Sequence, residues 1–160
     1  GFDATEYFIK KGCQRIAFIG GTKRLFVTQD RLTGYESALK QHQLPIDTNL
    51  TYFATEFLEE KGYQFSELLF NHDPQIDAII TTDSLLAEGV CDYISKHQLT
   101  VPVLSFDSVN PRLDLVAYVD INSLELGRVS FETILQIIND AKNNKQICYR
   151  QLIGHKIIEK

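Results

Sequence analysis

The chain has 160 residues, of which 44% are hydrophobic, 11% aromatic and 23% charged, with nine glycines and four prolines. That is the size of one ordinary domain, and the balance excludes disordered, collagen-like and low-complexity classes. Sixteen Lys and Arg against 21 Asp and Glu leave a net charge of −5 with no block of like charge, so the basic footprint of a nucleic-acid binder is missing.

In chain order, residues 2–11 predict a helix with Ala4, Tyr7, Phe8 and Lys11 on one face, stopped by Gly12. A strand at 14–19 ends in Gly20-Gly21, where the backbone must turn sharply. The next helix is expected from about Thr28 to His42, with Leu32, Tyr35 and Leu39 at helical spacing, and Pro45 closes the unit. A short strand near Leu50–Phe53 leads to a helix at about 59–71 that would turn Leu58, Phe65, Leu68 and Leu69 to a sheet, before Asp73-Pro74. Ala78–Thr81 has the look of a buried strand. Asp83 is placed to cap a helix carrying the stripe Leu86, Gly89, Val90, Tyr93 and Ile94. Val101–Phe106 is the next strand, followed by a loop at 107–114 and a strand at 115–119. A long helix from about Asn122 to Asn143 would bury Leu124, Gly127, Phe131, Ile134, Ile138 and Ala141, and two short strands, 147–153 and 155–159, would flank Gly154.

Short apolar runs alternating with helical stretches predict an α/β fold, a three-layer α/β/α sandwich on a mostly parallel sheet with right-handed crossovers. No internal repeat and no linker interrupts it. Polar and aromatic positions gather where such sheets bind ligands, at the carboxyl ends of the strands: Gly20-Gly21, Phe57, Thr82-Asp83 and Asp107-Ser108.

Gly20-Gly21-Thr22 has neither the phosphate-loop nor the dinucleotide-binding spacing, and a tight turn accounts for it. The histidines His42, His72, His97 and His155 have no ligand spacing, so no metal and no cofactor is expected. Ser105 lacks the glycine-flanked elbow of a nucleophile, and no acid–base arrangement can be assembled, so catalysis is not expected. Asp83 serves equally as a helix cap or a ligand contact, and Asp107 as a turn residue or a ligand contact. Cys13, Cys91 and Cys148, three at long spacings, argue against a disulfide framework and for a reducing, cytoplasmic location. No apolar run reaches the roughly 18 residues of a membrane span, and residues 1–6 do not resemble a signal peptide. The opening without Met, directly into a helical pattern, suggests a piece of a longer protein.

Residues 4–21 (ATEYFIKKGCQRIAFIGG), followed by Asp30-Arg31-Leu32-Thr33-Gly34-Tyr35 and Ala38-Leu39, resemble the effector-binding core of LacI/GalR-family transcriptional repressors. Gly62-Tyr63, Asp77–Asp83 then Gly89, Val101-Pro102 then Ser105-Phe106-Asp107, and Leu124-Glu125-Leu126-Gly127 continue the resemblance across the chain. It implies a periplasmic-binding-protein-like domain of two Rossmann-like subdomains with a sugar-like effector between them. Residues 1–160 would be its C-terminal part, with about 115–143 crossing to an N-terminal subdomain and the DNA-binding headpiece lying outside this chain.

By the same resemblance Arg31 is the effector-binding arginine, whose fixed fork of donors suits vicinal hydroxyls, although a surface salt bridge would also account for it. Asp107 would accept from sugar hydroxyls. Phe57, five residues before Gly62, would stack on a sugar face or else cap the core. Thr82-Asp83 stands where the family usually has Asn-Asp, Ser108 replaces a frequent second aspartate, and Asp120-Ile121-Asn122 replaces a segment that usually carries Gln. A sugar or sugar phosphate is the implied effector, with ribose and maltose-type sugars both open. The resemblance further implies a homodimer through helix 83–96 and the loop near Val109–Leu113, involving Leu85, Leu86, Cys91 and Val109. Operator DNA would be bound through the headpiece, and no membrane partner is expected. A periplasmic or surface sugar-binding protein of a transport system shares this fold. The unpaired cysteines and the Asp30–Tyr35 block favour the repressor.

Overall fold

The elements are, in order, α1 (Phe2–Lys10), β1 (Ile16–Gly20), α2 (Phe26–Gln41), β2 (Thr51–Phe53), α3 (Glu59–His72), β3 (Ala78–Thr81), α4 (Ser84–Lys96), β4 (Val103–Phe106), β5 (Ala117–Asp120), α5 (Ser123–Lys142) and β6 (Lys156–Glu159). They are seen in a computed structural model that describes residues 1–107, 110–143 and 147–160. Two compact units result, one of Gly1–Val119 with Ile157–Lys160 and one of Asp120–Lys156.

The continuous apolar runs become strands buried on both faces: every residue of β1, β3 and β4 is buried. The sheet order is β2-β1-β3-β4-β5-β6, with β1 parallel to β2 and β3, and β4 parallel to β3 and β5. From β1 the chain steps to one side to form β2, and from β2 it returns past β1 to form β3. Right-handed crossovers then put α2 on one face of the sheet and α3 and α4 on the other. α1 packs on α2, and α3 packs on α4. The step direction reverses between β1 and β3, which makes a crevice outside their carboxyl ends the natural ligand position of this topology.

Two helices approach unusually closely. A Cβ on Gly62 of α3 would stand 2.1 Å from the Leu86 carbonyl oxygen, and one on Gly89 of α4 would stand 1.9 Å from that of Glu59. Backbone packs on backbone there, which only glycine permits. This corrects the expected face of α3: Gly62, Ser66 and Leu69 are buried, whereas Leu58 and Leu68 face solvent. In α1 the buried set is Ala4, Thr5 and Phe8, with Lys11 outside it. β4 begins at Val103 because Pro102 has no N–H to give the ladder, though its carbonyl still accepts from Ile79 at 3.0 Å.

At the amino end of β1, Arg15 joins three segments. Its Nε and Nη2 donate to the Asp73 carboxylate at the end of α3, and Nη2 also reaches Asp47 at 3.2 Å. Asp77 accepts from the Gln14 and Arg15 N–H groups at 2.7 and 2.9 Å.

In the second unit α5 is amphipathic and its apolar residues Leu124, Phe131, Ile134 and Ile138 are exposed rather than turned inward within this chain, the outcome the resemblance implies for a segment whose apolar face would pack on an N-terminal subdomain. Its buried residue is Asp140, which accepts from Gln136 Nε2 at 3.2 Å and from the Tyr149 hydroxyl. That bond ties the segment after the helix to α5, and the strand expected at 147–153 does not form among the described residues.

Candidate functional site

The site is built where β1 and β3 end side by side. The Gly21 N–H donates to Thr82 Oγ1 at 2.9 Å, and the Thr82 N–H donates to the Ile19 carbonyl at 3.0 Å. A Cβ at position 21 would stand 2.2 Å from the Phe57 ring, so the ring lies directly against the Gly21 backbone. The loop after β2 therefore lays Phe57 across the end of β1 and leaves it 38% exposed.

Arg31 comes from α2 and is anchored on three sides. Its Nη1 donates to the Thr82 carbonyl at 2.6 Å, its guanidinium carbon lies 4.1 Å from the centroid of the Phe106 ring, and its Nη2 stands 3.8 Å from Asp107 Oδ2. Asp107 follows β4 with φ 56°, a left-handed conformation that Asp tolerates better than most residues. Its N–H donates to the Val119 carbonyl at 3.1 Å, which fixes that turn against β5. Burial lowers the pKa of Arg31 while Asp107 and Asp83 oppose the shift, and the group stays charged at neutral pH. Burial likewise pushes the Asp83 carboxyl above its ordinary range, against the N–H of Leu86 and the hydroxyl of Thr82.

Of the five predicted effector residues, Arg31, Asp107, Thr82 and Asp83 come together, and Phe57 joins the same edge through Gly21. Two of them have structural roles in the frame of the site. Thr82 is 2% exposed, and its hydroxyl is occupied by the Gly21 N–H and by Asp83 Oδ2 at 3.3 Å. It holds the frame and has no surface for a ligand. Asp83 caps α4, accepting from the Leu86 N–H at 3.0 Å, so the capping alternative is realised. Phe106 was not among the predicted residues. Its one sequence signal is an aromatic directly before the aspartate at a strand end. A crevice of about 340 Å³ lined by Lys23, Thr28, Gln29, Leu32, Thr33 and Phe53 also escaped prediction, with Lys23 Nζ 4.1 Å from the Phe53 ring centroid.

Of the predicted dimer residues, Leu85 is 44% exposed and Cys91 is half-buried, its thiol donating to the Asp114 carbonyl at 3.7 Å. Leu86 is a correction: it is fully buried in the hydrophobic core and offers no surface, because Asp83 starts the helix in a phase that turns position 86 inward. Val109, like Ser108, lies outside the described residues.

Charged donors on Arg31, a carboxylate on Asp107 and a partly exposed ring at Phe57 are suited to hydroxyl-rich molecules: a fork that donates, an oxygen pair that accepts and an apolar face for C–H groups. Among the described residues no three His, Cys, Asp or Glu side chains form a group that could hold a metal ion.

Residues 5–154 match the periplasmic binding protein-like domain. Over 160 residues the chain is 83% identical to the HTH-type transcriptional regulator MalR of Streptococcus pneumoniae, covering all of this chain and 49% of that protein. Over 124 residues it is 33% identical to the HTH-type transcriptional repressor ExuR of Bacillus subtilis, covering 71% of this chain and 37% of that one. The structure overlays that of a LacI transcriptional regulator from Bacillus cereus subsp. cytotoxis with a TM-score of 0.86 at 30% identity, over 99% of this chain and 57% of that chain. The chain spans about half the length of the curated relative it matches at full length.

Proposed function

The chain belongs to the periplasmic binding protein-like family, in the form that LacI-type transcriptional regulators carry as their effector-binding domain, and from that membership we propose that it senses a sugar or sugar phosphate on behalf of a cytoplasmic repressor. Sensing is coupled to operator DNA through a helix-turn-helix headpiece outside these residues, and two copies assemble as a homodimer. The segment at about 115–143 crosses toward an N-terminal subdomain. The reading involves no catalysis, in keeping with relatives that are transcriptional regulators. Among the described residues no helix is long and apolar enough to cross a membrane.

The observation that carries the reading is the Arg31–Asp107 pair at the reversal of strand order, with Arg31 set on Phe106 and the Thr82 carbonyl. Donor and acceptor stand within one small molecule's reach, and at a shared position they can grip neighbouring hydroxyls. The test is a melting-temperature titration of the full-length regulator against ribose, maltose, glucose and glucose 6-phosphate. A true effector at about 100 times its Kd stabilises the folded state by roughly 2.7 kcal/mol. At least one of the four should raise the melting temperature of the natural protein, and the same compound should raise that of Arg31→Ala clearly less. An equal rise in both would remove Arg31 from the site, and no rise with any of them would overturn the sugar reading.

A further inference from the structure

We propose that Phe106 is a positioning residue for the effector: its ring is the shelf that holds the Arg31 guanidinium in its binding pose before any ligand arrives. The proposal rests on the reading of Arg31 as an effector contact, and it adds how that contact is prepared.

A long arginine side chain has much rotamer entropy to lose when it is fixed. If that loss fell on the binding step, affinity would drop accordingly. Here it is incurred during folding. The guanidinium lies 4.1 Å from the Phe106 centroid, within cation–π range, and Nη1 is fixed by the Thr82 carbonyl at 2.6 Å. Phe106 itself is 4% exposed, so its position is set by the core and not by solvent. The Asp107 carboxylate, with 3.8 Å between Oδ2 and Nη2, is at an ion-pair separation that orients the charge without a hydrogen bond between those two atoms. Along an extended strand, consecutive side chains point to opposite faces. The left-handed turn at Asp107 breaks that alternation, and it lets adjacent residues of one strand end serve the same arginine, one with its ring and one with its carboxylate. The Thr82 bond takes one of the five guanidinium N–H groups.

The experiment uses the full-length regulator and three substitutions. Phe106→Leu removes the π face, Phe106→Tyr keeps it, and Phe106→Met stands in for Leu, closer in length, should the Leu variant fail to fold. The first readout needs no ligand: nitrogen relaxation of the Arg31 side-chain Nε–H, assigned by its loss in Arg31→Lys. The Nε–H should be ordered in the natural protein and in Phe106→Tyr, and disordered in Phe106→Leu. The second is calorimetric titration with maltose and with ribose. Affinity for the binding sugar should fall about three- to thirty-fold in Phe106→Leu and stay near the natural value in Phe106→Tyr. In an Arg31→Ala background, Phe106→Leu should add no further loss.

An ordered Arg31 in Phe106→Leu would overturn the shelf while leaving Arg31 as an effector contact. A loss of affinity that persists in the Arg31→Ala background would reduce Phe106 to core packing. Unchanged affinity in Arg31→Ala itself would instead overturn the reading on which the shelf rests.

Discussion

Arg31 combines a charge, a stacking surface and a fixed hydrogen bond, and each of these argues for a different substitution. Arg31→Ala removes all three. Removing charge-assisted hydrogen bonds to a ligand costs about 1.5–3 kcal/mol, or at least tenfold in affinity, and calorimetry on the full-length regulator should show that loss. Asp107→Ala should weaken binding of a hydroxyl-rich ligand to a similar degree. A fall in stability with affinity intact would confine Asp107 to its turn. Asp83 allows a sharper test because its carboxyl is pushed above the ordinary range by burial. With the folded pKa above the unfolded one, the folded state holds the proton more tightly. Ionisation therefore destabilises the fold as pH rises from the unfolded pKa through the folded one. Asp83→Asn keeps a good N-cap side chain and removes that titration. The melting temperature of Asp83→Asn relative to the natural protein should rise between pH 3 and pH 7, and a difference independent of pH would show that Asp83 does not titrate abnormally. At this scale the sequence motifs pointed to Arg31, Asp83 and Asp107, yet they gave no sign that Thr82 lends its carbonyl to Arg31, 51 positions earlier. A backbone acceptor has no residue type to be recognised by.

At the level of elements, legibility follows burial. β1, β3 and β4 are continuous apolar runs because parallel strands are covered on both faces, and their positions could be taken from the sequence to within two residues. The face of α3 could not. Periodicity counts large apolar side chains, whereas α3 meets α4 through Gly62 and Ser66 and keeps Leu58 and Leu68 outside. Gly89→Ala therefore places a methyl 1.9 Å from the Glu59 carbonyl oxygen, and that atom is backbone and cannot move alone. Overpacking of this kind costs about 1–3 kcal/mol, which for a domain of this size lowers the melting temperature by roughly 2–12 °C. Alanine is otherwise the better helix former by about 1 kcal/mol, so a stabilised Gly89→Ala would show that the two helices do not touch here. The segment 147–153 was misjudged for a different reason. A short β-prone run forms a strand only if an edge is there to pair with it, and Tyr149 is engaged with Asp140 of α5 instead.

For the whole molecule the proposed homodimer sets the test, and α4 supplies the handle. Its inward stripe is consumed by the core, with Leu86, Ala87 and Val90 fully buried. Leu85, one position along, is 44% exposed, a large apolar side chain that the fold of one chain does not use. In a two-fold assembly the same patch meets itself, so a carboxylate introduced at Leu85 is placed in the interface twice, near its own mate and away from water. On the surface of a single chain the same substitution should change stability by no more than about 0.5 kcal/mol. Leu85→Asp in the full-length regulator should therefore give a folded monomer by light scattering, with a melting curve close to that of the natural protein. Operator affinity should fall steeply and depend less strongly on salt, because a single headpiece reaches one half-site and neutralises about half of the phosphates. A dimer that persists would move the interface away from α4. An unfolded chain would make Leu85 part of the core despite its exposure, and an unaltered salt dependence with a true monomer would separate dimerisation from operator binding.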